Sequence, residues 1–157
     1  MSKTYTLLLN SQNSVNRSGT TTTNYTYYVN WKAVLPTECK KFDVSYSLKS
    51  VLGTTLLTDV VLLSMNIGNQ STYDQTYSQT PIVCALNPSS NVGTVYYYYQ
   101  SNVTDQCGFM VGYPQNSFLN IKLLNSTPVN GAYALTTSFP DYILQISFTE
   151  IEDFDDE

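Results

Sequence analysis

Phe42-Asp43-Val44-Ser45-Tyr46-Ser47-Leu48-Lys49 alternates large apolar and polar side chains without a break. Successive side chains of an extended chain point to opposite faces, so a period of two marks a strand with one face in a core and one in water. The same period returns in Tyr25-Thr26-Tyr27-Tyr28-Val29-Asn30-Trp31 and in Tyr142-Ile143-Leu144-Gln145-Ile146-Ser147-Phe148-Thr149. Working outward from these, strands are predicted at roughly 4–9, 24–31, 41–50, 58–67, 80–85, 93–100, 108–112, 117–124, 132–138 and 142–150. No stretch carries a clear helical period. The fold class is therefore all-β: a single jelly roll or two-sheet antiparallel β-sandwich of about eight to ten strands.

Turn chemistry supports this division. Asn130-Gly131 is a two-residue hairpin signal, because both residues accept positive φ in a type I′ turn. It is expected to join the strand at 117–124, extended through Pro128, to one near 132–138, with Pro128 marking an edge or a bulge. The segment from Trp31 to Pro36 reads as a short turn or a single helical turn. Val60-Val61-Leu62-Leu63 is apolar on both faces and suits a strand buried on both sides. Two connections, 10–23 and 68–79, are long for a compact β-domain and suit crossings from one sheet to the other, as Greek keys require. No internal repeat is present.

The chain has 157 residues, one domain's worth, of which 42% are hydrophobic and only 12% charged. Charged residues ordinarily make up about 25%. Ser, Thr and Asn replace them, giving a surface that is cheaper to remove from water than a charged one. The formal charge of −5 is concentrated at one end: Glu150, Glu152, Asp153, Asp155, Asp156 and Glu157 are six of the twelve acids, and without them the body carries about +1. The domain is read as residues 1–150, followed by an acidic tail at 151–157. The scattered basic residues form no patch for nucleic acid. No apolar run is long enough for a transmembrane span or a signal peptide, so synthesis in the cytosol with reduced thiols is expected. Cys39, Cys84 and Cys107 are too few and too widely spaced for a disulfide framework or a zinc site. They read as free thiols, with one disulfide plus a leftover thiol as the alternative.

Catalytic machinery is hard to assemble from this sequence. There is no histidine to move a proton. Asp43, Asp59, Asp74, Asp105 and Asp141 are dispersed singly, without a Gly-rich phosphate loop or a metal-ligand cluster. The reading is a non-enzymatic protein with no catalytic residues, cofactor or metal. Candidate interface residues come from two places. In Tyr96-Tyr97-Tyr98-Tyr99, strand geometry puts Tyr97 and Tyr99 on the face of Val95 and turns Tyr96 and Tyr98 to the other. That outward pair can lie over neighbouring side chains, meet another subunit or stack on a sugar. In the tail, Ile151 and Phe154 lie between the acids and could anchor it to a basic groove, although a solvated end is the simpler reading.

Tyr5-Thr6-Leu7-Leu8-Leu9-Asn10-Ser11, the Ser18-Gly19-Thr20 loop, and Tyr25-x-Tyr27-Tyr28-Val29-Asn30-Trp31 ending in Val34-Leu35-Pro36 form one recognisable stretch. Phe42-x-Val44-x-Tyr46-x-Leu48-x-Ser50 follows it. Leu119-Asn120-Ile121-Lys122-Leu123-Leu124, the Asn130-Gly131 turn and Tyr142-Ile143-Leu144-Gln145-Ile146-Ser147-Phe148 close the chain. In order and spacing this resembles the small single jelly-roll minor capsid or penton proteins of large icosahedral double-stranded DNA viruses of algae and amoebae, and of their virophages. Residues 68–116 carry none of the likeness. The resemblance implies a structural virion protein that contacts other capsid proteins, the major capsid protein included, and forms a pentamer if it is a penton. It also implies assembly in the host cytoplasm, without direct binding of nucleic acid or insertion into a membrane. A carbohydrate-binding or attachment module of β-sandwich fold is the alternative.

Overall fold

The computed structural model of the protein describes residues 3–14, 24–36, 41–50, 61–67, 72–73, 79–80, 82–91, 96–100, 105–112, 114, 117–130, 132–136 and 141–151. Their strands are β1 (Thr4–Asn10), β2 (Asn24–Tyr28), β3 (Lys41–Ser50), β4 (Val61–Met65), β5 (Thr72–Tyr73), β6 (Gln79–Thr80), β7 (Ile82–Asn91), β8 (Tyr96–Gln100), β9 (Asp105–Val111), β10 (Phe118–Asn125) and β11 (Tyr142–Glu150). One helical turn, α1 (Trp31–Val34), follows β2.

The pairing is nested. β1 pairs with β11, β2 with β10, β3 with β9 and β4 with β7, all antiparallel. Such an arrangement is one long hairpin of paired strands, and rolling it up adds the contacts of β11 with β3 and of β10 with β4. The result is two antiparallel sheets, β1-β11-β3-β9 and β2-β10-β4-β7, the strand order of a jelly roll. The fold is an all-β sandwich. β7 leaves one sheet for the other: Leu86 pairs with Val61 of β4, while Asn87 onward pairs with β8, which touches β3 through Gln100 and Lys49.

Alternation places the core. From the first sheet, Phe42, Val44, Tyr46 and Leu48 of β3 and Tyr142, Leu144, Ile146 and Phe148 of β11 are fully buried or nearly so. They meet Leu119, Ile121 and Leu123 of β10, Val61, Leu63 and Met65 of β4, and Tyr27 of β2 in one cluster. Edge-to-face rings join the layers, Trp31 on Phe148 with centroids 5.8 Å apart and Tyr25 on Tyr142 at 5.0 Å, while Phe42 on Phe148 at 6.4 Å links neighbouring strands of the first sheet. Aromatic pairs favour this geometry because a ring's positive edge meets its partner's negative face.

Departures from the expected boundaries have local causes. The second strand stops at Tyr28, and Asn30 precedes the helical turn whose Trp31 enters the core. β7 continues six residues past the expected end at 85, through Asn87-Pro88-Ser89-Ser90-Asn91, because β8 supplies it with a new partner. The connection at 68–79 holds β5 and the start of its partner β6. The expected hairpin is present, with Asn130 at φ 52° and mutual Val129–Ala132 hydrogen bonds of 2.9 and 3.1 Å. Its return leg makes bridges rather than a regular strand: Ala134 and Thr136 hydrogen-bond Asn125 and Leu123, on the opposite edge of β10 from β4. Val60, Val95 and Gly131 lie outside the described residues.

Leu144 lies between Leu9 and Leu48 with no exposed surface. Leu144→Ala is expected to cost about 2–5 kcal/mol in urea unfolding, whereas Gln145→Ala, on the outward side of the same strand, should change it by less than about 0.5 kcal/mol.

Candidate functional site

The outward half of the alternation makes two faces of different character. On the first sheet, Thr4, Thr6, Leu8 and Asn10 of β1 lie beside Thr149, Ser147, Gln145 and Ile143 of β11, and these beside Asp43, Ser45, Ser47 and Lys49 of β3. Hydroxyls pair across the strands, Thr4 with Thr149 at 3.1 Å and Thr6 with Ser147 at 3.4 Å. Among these residues only Asp43 and Lys49 carry charge. Leu8 is 65% exposed and Ile143 40% exposed, diagonal neighbours in an otherwise hydroxyl- and amide-coated face.

On the second sheet, Tyr28 and Phe118 face each other in register with rings 5.8 Å apart, and both are largely exposed. Beside them is a knot of amides. The Asn120 Nδ2 donates to Asn24 Oδ1 at 2.6 Å and also lies near Tyr25 O and Thr26 Oγ1. Asn66 has a different task. β4 stops pairing with β10 at Met65, and the Asn66 side chain continues the ladder by donating to Phe118 O and accepting from the Asn120 N–H. At the other end of this face, Ala85, Leu62, Leu124 and Leu135 stand opposite one another in turn across four chain segments.

The most connected polar group is buried. Ser11, at the end of β1, has no exposed surface; its hydroxyl donates to Asp141 Oδ1 and accepts from the Tyr142 N–H, both at 3.0 Å. Gln12 Nε2 donates to Asp141 Oδ2 at 3.0 Å. This arrangement aligns the start of β11 with the end of β1. The Ser11 hydroxyl is fully buried, so it lacks the access to substrate that a serine nucleophile needs. Next to it, the Tyr27 and Tyr142 hydroxyls meet at 2.8 Å between the sheets. Burial, with Tyr27 beside it, pushes Tyr142 far above the ordinary phenol range. Tyr5 is also raised, by desolvation and by its hydrogen bond to Glu150.

Of the sequence-predicted interface residues, Tyr96, Tyr98 and Ile151 are among the described residues. Tyr96 and Tyr98 fall on β8 opposite Asn91 and Ser89, and β8 reaches β3 at Lys49. Ile151 is exposed and its N–H bonds to Lys41 O at the other end of β3. Eight residues of strand separate those ends, roughly 27 Å. Phe154 and Cys39 lie outside the described residues, and Cys84 and Cys107 fall on β7 and β9. Sequence reasoning missed Leu8, Ile143, Tyr28 and Phe118. The signal was present for the first three: a second apolar residue in a row within an alternating strand must point outward, as in Leu7-Leu8-Leu9, Tyr27-Tyr28 and Tyr142-Ile143-Leu144.

Among the described residues no group of three or more Cys, Asp or Glu is placed to hold a metal, and no helix is long and apolar enough to cross a membrane. No protein-family model matches the chain, and no curated protein matches it.

The raised Tyr142 has a consequence for alkaline stability. The unfolded phenol ionises near 10.0, while the folded one stays protonated well above that pH. The unfolded state therefore binds fewer protons above that pH, and stability falls as pH rises. Urea titrations between neutral pH and pH 11 are expected to show this decline, with a shallower slope in Tyr142→Phe.

Proposed function

We propose that this protein is a structural component of a virion, a penton or minor capsid protein that stabilises an icosahedral shell by packing against other capsid proteins, the major capsid protein among them. The observation that carries the reading is the outward face of β1, β11 and β3. It is broad, coated with Thr, Ser, Asn and Gln, and carries charge on β3 alone, at Lys41, Asp43 and Lys49. Covering such a face with a neighbouring subunit forfeits little hydration, whereas covering a charged face costs several kcal/mol per unpaired ion. Leu8 and Ile143 on that face, and Tyr28, Phe118 and Leu135 on the other, add apolar anchors on more than one side of the domain. A shell component meets neighbours on several sides, and symmetric repetition multiplies modest contacts. Jelly rolls serve in capsids, but also in lectins and cupins, so the fold alone does not choose between them. The sequence resemblance adds weight to the capsid reading, which also implies assembly in the host cytoplasm and a shell location.

Tyr28, Phe118 and the amides around Asn120 favour a second reading, a carbohydrate-binding or attachment module. Exposed rings beside hydrogen-bonding groups are what a sugar ring stacks on, although such sites are generally concave.

Native mass spectrometry of the purified protein, alone and with the major capsid protein, separates these. A closed pentamer is expected for a penton, and a complex with the major capsid protein for a minor capsid component. A chain that forms neither and instead binds glycans, losing that binding in Tyr28→Ala, supports the second reading and rejects the first.

A further inference from the structure

Among the described residues β1 is an edge strand with one side open. Glu150 N–H bonds Lys3 O at 2.9 Å, which sets the phase of its pairing with β11. Lys3, Tyr5, Leu7 and Leu9 turn their backbone groups toward β11, so Thr4, Thr6 and Leu8 turn theirs away. Among the described residues no strand pairs with that outer side. Soluble proteins usually blunt such an edge with proline, charge, a bulge or a covering loop. Thr4–Asn10 contains no proline and no charged residue, and its register with β11 runs without a bulge.

We propose that this edge binds a second copy of the chain, β1 against β1 in antiparallel register about a two-fold axis through Thr6. The edge is self-complementary in that register. Thr6 meets Thr6 and Leu8 meets Thr4, so every outward N–H and C=O of Thr4, Thr6 and Leu8 finds a partner. On the core side Tyr5 falls opposite Leu7, and each is only half-buried in the single chain. On the outer side the exposed Leu8 gains a neighbour. Lys3 is the nearest charge, and the antiparallel arrangement carries the two copies of it to opposite ends of the seam, leaving no repulsion to overcome. The first sheet then continues as β3-β11-β1-β1-β11-β3 across both copies. A seam of one strand is smaller than the roughly 1,200–2,000 Å² of a standard interface, so the dimer is concentration-dependent. The inference does not rest on the capsid reading, since the edge is the same in any setting.

Sedimentation of the full chain over a wide concentration range, with amide hydrogen exchange, tests it. The chain should dimerise as concentration rises. Protection should increase at the Thr4, Thr6 and Leu8 amides and stay level at Tyr5 and Leu7, which already bond to β11. Thr6→Pro removes an outward donor without touching the β11 ladder, and Thr6→Lys sets two like charges face to face on the axis. Each should weaken dimerisation by about 10- to 100-fold. Thr6→Val keeps the backbone and should dimerise like the parent. Thermal unfolding of the dilute variants establishes that they fold. A chain that stays monomeric at every concentration reached overturns the proposal. So does a dimer that Thr6→Lys leaves intact, or one whose protection pattern lies away from β1.

Discussion

The structure depends on the register of β11 between β1 and β3. Nine residues of β11 match β3 one for one, and seven of β1 match β11 on the other side. Because side chains alternate, a slip of one position would turn Tyr142, Leu144, Ile146 and Phe148 out to water and bring Ile143, Gln145, Ser147 and Thr149 into the core. Burying each large apolar side chain contributes about 1.5–3 kcal/mol, so the slipped sheet is far from competitive. The Ser11–Asp141 hydrogen bond and the Tyr142 N–H bond to Ser11 hold the same register at one end. Glu150 bonded to Lys3, and Ile151 to Lys41, hold it at the other.

That register also decides what the outside looks like. The residues it turns away from the core are mostly hydroxyls and amides, with Leu8 and Ile143 as aliphatic exceptions and charge only on β3, so one constraint yields both an apolar interior and a largely uncharged exterior. Asn66 shows how an irregular end is accommodated without a further strand, its amide supplying the donor and acceptor that a continuing β4 would have offered to β10.

Much of the architecture was legible because alternation is a local signal. β3 was predicted at 41–50 and runs over Lys41–Ser50, since its pattern is unbroken and Lys41 and Ser50 bracket it. Elsewhere the local signal misleads. Val29 and Trp31 keep the apolar phase of β2 past its last paired residue, and only the helical turn shows where it ends. Asn87-Pro88-Ser89-Ser90-Asn91 has the composition of a turn but pairs with β8, since a partner strand outweighs weak propensity. The candidate surfaces divide the same way. Leu8 could be read from three leucines in a row. The Tyr28–Phe118 pair could not, because it depends on register between strands about ninety positions apart, which no local pattern encodes.

The nested pairing has a consequence for how the protein comes into being. Of the four nested pairs only the innermost, β4 with β7, joins strands close in the chain; each outer pair must wait for a later partner, and β1 waits for β11. During synthesis, at roughly 5–20 residues per second, the early strands leave the ribosome with their ladders unmatched and their apolar faces uncovered. Contacts so distant in sequence also close slowly once the chain is complete. A sparing use of charge, convenient in the finished molecule, gives little protection against aggregation in that interval. Maturation of this chain is therefore expected to be governed by the arrival of residues 142–150, and by whatever shields the open strands until then.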